Sequence, residues 1–387
     1  MVHTLTAGDD TPQTPQTGLV VRVNSPTTLL TVIPHLLGFE PQASVVVLGC
    51  APPRDRVRVT LRYDLPDPGD ADLAVEIADH AVGVIGSQQL TAMVAVGYGA
   101  ESQVDPVAGA LRHAARQAGV DLQDFLRVEN GRYWSYRCGN EACCPGSGVS
   151  FDLDSDPASA ALAVTRPPVL ADRAAVAARV APLGGIAAAA MHQATRRAER
   201  HVSRLLAKVR KSGRPGSARQ MIAAEGLNAV GTMIATYRGG GRYATDYQIA
   251  WITVALRDLR VRDDAWARMD PAHADAHRRL WIDVTQRAQP GYVAAPAALL
   301  AFVAWQSGDG ALANVALDRA LADEPGYSMA RLLRQVITAG APPSLARLPM
   351  TPEEVAASYD DAEDDRDGDY DHELDPDVHD PDPESEH

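Results

Sequence analysis

The sequence predicts an α/β N-terminal domain, built as a mixed sheet with flanking helices and a hairpin, followed by an all-α, tetratricopeptide-like helical domain. Three observations carry this. Short β-branched runs alternate with segments of helical periodicity as far as about residue 155. From about Pro167 onwards, alanine-rich helical segments follow one another with no convincing strand. A chain of 387 residues also exceeds the size at which one core keeps growing, so two compact units with tails are expected. The expected organisation is a disordered leader at 1–17, the α/β domain at 18–165, the helical domain at 166–345 and a disordered acidic tail at 346–387.

Order is expected to begin at GLVVRV, a short β-branched run. In NSPTTLLTVIPHLLGFEP, Ser25 can cap a helix and Pro26 suits its first turn, with Leu29, Leu30, Ile33, Leu36 and Leu37 at helical spacing. Pro34 is expected to kink or shorten that helix. ASVVVLGC is a continuous apolar run and reads as a buried strand. RVRVTLRY alternates, which puts Val57, Val59, Leu61 and Tyr63 on one face and Arg56, Arg58, Thr60 and Arg62 on a wet one. A helix is expected over Ala71 to Gly86, a strand in LTAMVAVGYG and an amphipathic helix in DPVAGALRHAARQAGV. FLRVENGRYWSYRC supplies two strands joined by Asn130-Gly131, a pair that tolerates the positive φ angles of a tight hairpin. In the second half, helices flank Gly308-Asp309-Gly310 and another follows Asp323-Glu324-Pro325-Gly326, with Ala313, Ala316 and Ala320 where helices approach closely. About one tetratricopeptide-like unit is visible, so a compact helical body is expected and not an extended superhelix.

The net charge of −14 is unevenly placed. Residues 351–387 hold seventeen acids against Arg366, which leaves the first 350 residues at +2. That acidic run has too few apolar groups to offset chain entropy and reads as a solubilising tail. A run of about 18 uncharged apolar residues is missing, and MVHTLTAGDDTPQTPQTG has neither a basic start nor an apolar signal core. A soluble cytoplasmic protein with no membrane partner is expected. In a reducing compartment four cysteines do not make a disulfide framework, so metal, redox or packing roles come forward.

Three of the four cysteines, Cys138, Cys143 and Cys144, fall within RYWSYRCGNEACCPGSG just after the hairpin. Three readings stand for them. They pack as small buried groups, with a Cys138–Cys143 disulfide formed only on oxidation. They ligate a metal, zinc being the ion such donors suit, with a fourth ligand from Cys50, His80 or His113 and a sharp turn at Pro145-Gly146 bringing the adjacent thiols to one ion. Or one of them is a redox or nucleophilic thiol, its thiolate favoured by Arg132 or Arg137.

Weaker signals are Gly97-Tyr98-Gly99 at a strand end and Trp134, candidates for a cofactor site. A third glycine is missing at Ser102, no lysine lies in a glycine loop, and an ordinary tight turn explains them as well. His273 and His277 have metal-ligand spacing on a helix, yet no Glu adjoins the first, so an exposed helix face is expected. The segment from Arg196 to Arg219 carries nine positive groups against Glu199. Arg196, Arg197, Arg200, Arg204 and Lys208 form either a solvated face, a nucleic-acid phosphate contact, or a surface for the protein's own acidic tail. No catalytic residue is assigned.

Three ordered blocks carry a family resemblance. VRVNSPTTLLTVIPHLLGFEPQASVVVLG, RYWSYRCGNEACCPGSG and LWIDVTQRAQPGYVAAPAALLAFVAWQSGDGALANVALDRALADEPGYSMARLL are similar to the bacterial domain-of-unknown-function family DUF4192, found mainly in high-GC Gram-positive bacteria. The resemblance spans roughly residues 19–340 and implies architecture without an activity. Two functions follow as expectations. The first is an adaptor or regulatory protein binding a protein partner through its helical domain. The alternative is a thiol- or metal-dependent enzyme or sensor using Cys138, Cys143 and Cys144.

Overall fold

The computed structural model describes residues 3–5, 21–51, 56–165, 168–212, 216–241, 244–345 and 350–360. Most of the expected leader, and the expected tail beyond residue 360, lie outside them. β1 (His3–Leu5) pairs antiparallel with β2 (Val21–Val23). α1 (Pro26–Leu37) follows, its first turn closed by the Ser25 side chain, which accepts from the Thr28 N–H at 3.1 Å. Pro34 does not stop this helix. One more turn follows it, and the Gly38 N–H closes on the Pro34 carbonyl at 2.7 Å.

A six-stranded mixed sheet comes next. It is built from β3 (Ser44–Ala51), β4 (Arg56–Asp64), β5 (Ala92–Tyr98), β6 (Asp121–Glu129), β7 (Arg132–Ser135) and β8 (Val149–Ser150). Their spatial order is β4-β3-β5-β6-β7-β8, and the β5–β6 pair is parallel while the others are antiparallel. α2 (Ala71–Ser87) and α3 (Glu101–Ala118) cover one face over Val45, Val47, Met93, Ala95 and Phe125. α1 and α4 (Pro157–Thr165) cover the other over Val46, Leu48, Val94, Val96 and Leu126. The domain therefore has three layers, because the central strands are apolar on both sides.

The alternation expected along β4 breaks once. Val59 pairs with Gly49 but Val57 pairs with Cys50, so Arg58 is an extra residue. That bulge turns Val57 to the α1 face, while Val59, Leu61 and Tyr63 stay on the α2 face. The Asn130-Gly131 hairpin forms as expected, with φ of +51° and +71°.

The C-terminal half is helical: α5 (Arg173–Ala178), α6 (Gly185–Ser212), α7 (Gly216–Arg238), α8 (Asp246–Ala255), α9 (Leu259–Ala267), α10 (Ala274–Arg287), α11 (Ala294–Gln306), α12 (Gly310–Asp323) and α13 (Ser328–Thr338). Ala313, Ala316 and Ala320 are fully buried where α12 meets its neighbours. Tetratricopeptide repeats stack on nearest neighbours only. Here α11 is enclosed by α9, α10, α12 and α13, so that likeness is not established and the body is compact. Residues 352–360, inside the stretch expected to be tail, are helical; Val355 is buried and the Tyr359 hydroxyl donates to Asp263 at 2.6 Å.

Candidate functional site

Cys138, Cys143 and Cys144 lie in the excursion that leaves β7 and returns as β8. Its base is fixed from the sheet. Ser135, the last residue of β7, donates through its hydroxyl to both carboxylate oxygens of Asp124 on β6, at 2.9 and 3.0 Å. The same hydroxyl oxygen accepts the Cys138 N–H at 3.1 Å. Burial raises the Asp124 carboxyl above its usual range, although the Ser135 hydrogen bond and the Phe125 and Arg137 N–H groups oppose this.

The returning limb is held to β7 by two side chains. The Trp134 indole N–H donates to the Gly146 carbonyl at 3.0 Å, and Arg132 donates to the carbonyls of Ser147 and Gly148 at 3.2 and 2.8 Å. Trp134 is itself sandwiched, with the Arg127 guanidinium 3.8 Å from its ring centroid. Arg127 is only 6% exposed and is paired with Glu129 at 2.7 Å and Glu101 at 3.3 Å.

Between these anchors the chain turns at Asn140. Its side-chain oxygen accepts the Ala142 N–H at 3.0 Å, and its carbonyl accepts the N–H groups of Cys143 and Cys144 at 3.1 and 2.8 Å. This turn, upstream of Pro145-Gly146, is what folds two adjacent cysteines back onto Cys138. Asn140 was missed by sequence reasoning; an Asn placed two residues ahead of the N–H it caps is its signal.

Cys138 Sγ lies 3.0 Å from Cys143 Sγ, Cys143 Sγ lies 3.8 Å from Cys144 Sγ, and all three sulfurs fall within 4.8 Å of one another. All are free thiols, with Cys143 exposed and the others half-buried. Hydrogen bonds from Cys143 and then Cys144 lower the Cys138 pKa, so the first proton leaves there. Donating to Cys138 raises Cys143 and pushes Cys144 up to about 12. Neighbouring thiols therefore do what Arg132 and Arg137 were expected to do. Arg132 is engaged with the loop carbonyls and Arg137 with the Gln123 carbonyl.

The expected fourth ligands are elsewhere. Cys50 is buried in β3 with its thiol 3.8 Å from the Leu48 carbonyl, His80 bonds the Tyr63 hydroxyl at 2.7 Å, and His113 bonds Gln117 at 2.9 Å. Among the described residues, the three thiols alone make up the ligand cluster.

The other candidates have structural partners. A Cβ on Gly97 would lie 2.6 Å from Val104, so this glycine lets α3 approach β5 closely, and one on Gly99 would lie 2.7 Å from Leu65, just after β4, so this glycine makes room for that side chain. Tyr98 between them has a buried hydroxyl with no hydrogen-bond partner among the described residues. His273 and His277 do not form an exposed pair. His273 turns to Asp270 at 2.8 Å, while His277 is 1% exposed and accepts the Asp270 N–H at 3.4 Å. Arg196, Arg197, Arg200, Arg204 and Lys208 of α6 are exposed, as their spacing suggests. Among the described residues, no helix is long and apolar enough to cross a membrane.

A family model described as a domain of unknown function, DUF4192, matches residues 26–344. No curated protein and no solved structure matches the chain.

Proposed function

The chain belongs to the DUF4192 family, whose description carries no activity, and from its own geometry we propose that it is a thiol-based regulatory protein in which Cys138, Cys143 and Cys144 hold a thiophilic cation of the zinc class. The observation that supports this reading is the convergence of the sulfurs. Tetrahedral zinc with bonds of about 2.3 Å needs sulfurs about 3.8 Å apart. The Cys143–Cys144 spacing of 3.8 Å matches that value, the Cys138–Cys143 spacing of 3.0 Å is shorter and must open to admit the ion, and the third separation is no more than 4.8 Å. A turn that overcomes the opposed directions of adjacent side chains is not needed for packing in an exposed loop. With three protein thiolates, the fourth position faces solvent, which suits an exchangeable ion or a ligand brought by a partner. Free thiols at the surface fit a reducing compartment.

The test is titration of the reduced, tag-free protein with Co(II) and Zn(II), beside elemental analysis of the protein as purified. One cobalt per chain with sulfur-to-cobalt charge-transfer absorption is expected, lost in Cys138→Ser and in Cys144→Ser. Stoichiometric binding that survives replacement of all three cysteines would sink the proposal, as would no binding at all. Ligation needs thiolates, and Cys143 and Cys144 hold their protons firmly. Metal therefore displaces protons, and its affinity is expected to fall steeply from about pH 8 to about pH 6.

A second reading, a protein-binding adaptor, is favoured by α13. Leu332 and Val336 stand four residues apart there, 61% and 37% exposed. Their replacement by Glu would abolish such binding and leave metal binding unchanged.

A further inference from the structure

Arg197, Arg200, Arg204 and Lys208 on α6 follow one another at steps of three, four and four residues, so they make one stripe along the helix. All four are exposed. Arg197, Arg200 and Arg204 line a groove of about 640 Å³ together with Ser203, Ala207 and Tyr247 of α8. α6 is fixed against α8 beneath it, where His201 meets Trp251 edge to face at 5.0 Å.

What distinguishes this stripe is unspent charge. The acids nearest in sequence or on the packed helices are committed elsewhere. Glu199 accepts from the Tyr292 hydroxyl at 2.8 Å, Glu225 bonds His201 at 2.7 Å, and Asp246 pairs with Arg287. Among the described residues, none of the four basic groups forms an ion pair, whereas most arginines on the neighbouring helices do. Like charges held on one face repel one another, so an anion that bridges them is favoured. The helical rise sets Arg200 and Arg204 about 6 Å apart along the axis, which is comparable with the separation of successive phosphates on a strand. One row of cations serves one row of phosphates. Arg197 lies over the Tyr247 ring, 5.1 Å from its centroid, and this fixes its guanidinium plane as a surface on which a base can stack. Only an unpaired base offers that face.

We propose that this face of α6, with Tyr247, binds the phosphodiester backbone of single-stranded nucleic acid without sequence preference. The site is independent of the thiol bend.

The experiment is fluorescence anisotropy of a labelled oligo-dT with the full chain, over a range of salt. Binding should weaken with salt at a slope of about −2 to −3, the value for three or four released counterions on a single strand. Arg200→Ala with Arg204→Ala should cost at least tenfold and make the slope shallower by about 1.4. Arg278→Ala, which removes an arginine already paired with Asp275, should change nothing. Arg197→Lys keeps the charge and removes the stacking plane. It should cost roughly 5- to 100-fold on oligo-dT and leave heparin retention unchanged. Three outcomes would overturn the proposal: duplex bound more tightly than single strand, affinity unchanged in the double arginine variant with its circular dichroism intact, or binding seen only after residues 361–387 are removed. The last would make the acidic tail the occupant.

Discussion

At Gly148 φ is +78°, and a Cβ there would lie 2.6 Å from the Trp134 ring. The ring cannot retreat, since its N–H is bonded to Gly146 and Arg127 covers it. Gly148→Ala therefore combines a left-handed conformation costing about 1–2 kcal/mol with overpacking costing about 1–3 kcal/mol. Relief comes by detaching the limb that returns from the cysteines. The expected outcome is an intact far-UV spectrum with metal affinity lowered by about tenfold or more, since each 1.4 kcal/mol spent in reordering the loop is a factor of about ten. Unchanged cobalt affinity would show that the thiols are placed by the Asn140 turn alone. Asn140→Ala separates the two anchors, because it removes only the cap on Ala142.

Between elements, the most consequential single acceptor is Asp323 at the end of α12. Its carboxylate accepts from the N–H groups of Gly291 at 2.7 Å, Val293 at 2.9 Å and Ala294 at 3.2 Å, and so closes the start of α11. α11 is buried from Ala294 to Trp305, so the N–H groups of Val293 and Ala294 have little recourse to water. Asp323→Ala is expected to cost about 2–4 kcal/mol, given about 1.5–3 kcal/mol for a charged hydrogen bond and incomplete additivity. Asp323→Asn should cost less, and urea unfolding reads both. This contact also shows where the sequence is legible and where it is not. The strands, the hairpin and the helix cap at Ser25 are local patterns, readable because apolar runs and two-residue alternation mark strands and a capping side chain meets an N–H three residues on. The thiol cluster is half local: its spacing is visible, while its turn depends on Asn140 and its base on Asp124 across the hairpin. The Arg58 bulge, the burial of His277 and the grip of Asp323 on α11 are set by neighbours far away in sequence, and no periodicity announces them.

For the molecule as a whole, two structural halves share contacts around Phe39. Its backbone bridges to Leu170 and its side chain joins the helical core, so destabilisation in one half is felt in the other. His277 sits in that helical core and sets an acid limit. Desolvation lowers its pKa to about 4 from 6.5, with help from Arg238 and His273 and against the pull of Asp270. Its Nε2 accepts the Asp270 N–H, so the neutral ring carries its proton on Nδ1, which is buried without a partner among the described residues. The unfolded chain takes up a proton below about pH 6.5 and the folded chain does not until about pH 4. The stability from a neutral His277 is therefore complete above about pH 6.5 and falls through that window, by about 3 kcal/mol at most. Asp124 and Glu40, both raised by burial, act with the opposite sign near its lower end. The comparison that isolates the histidine is wild type against His277→Gln, which can still accept from Asp270 and cannot titrate. Thermal midpoints measured from about pH 7 to about pH 4 should fall more steeply for the wild type, and below about pH 4 the difference between the two should stop changing. Parallel curves would mean that the imidazole is protonated in the folded core, and that the Asp270 contact yields before the fold does.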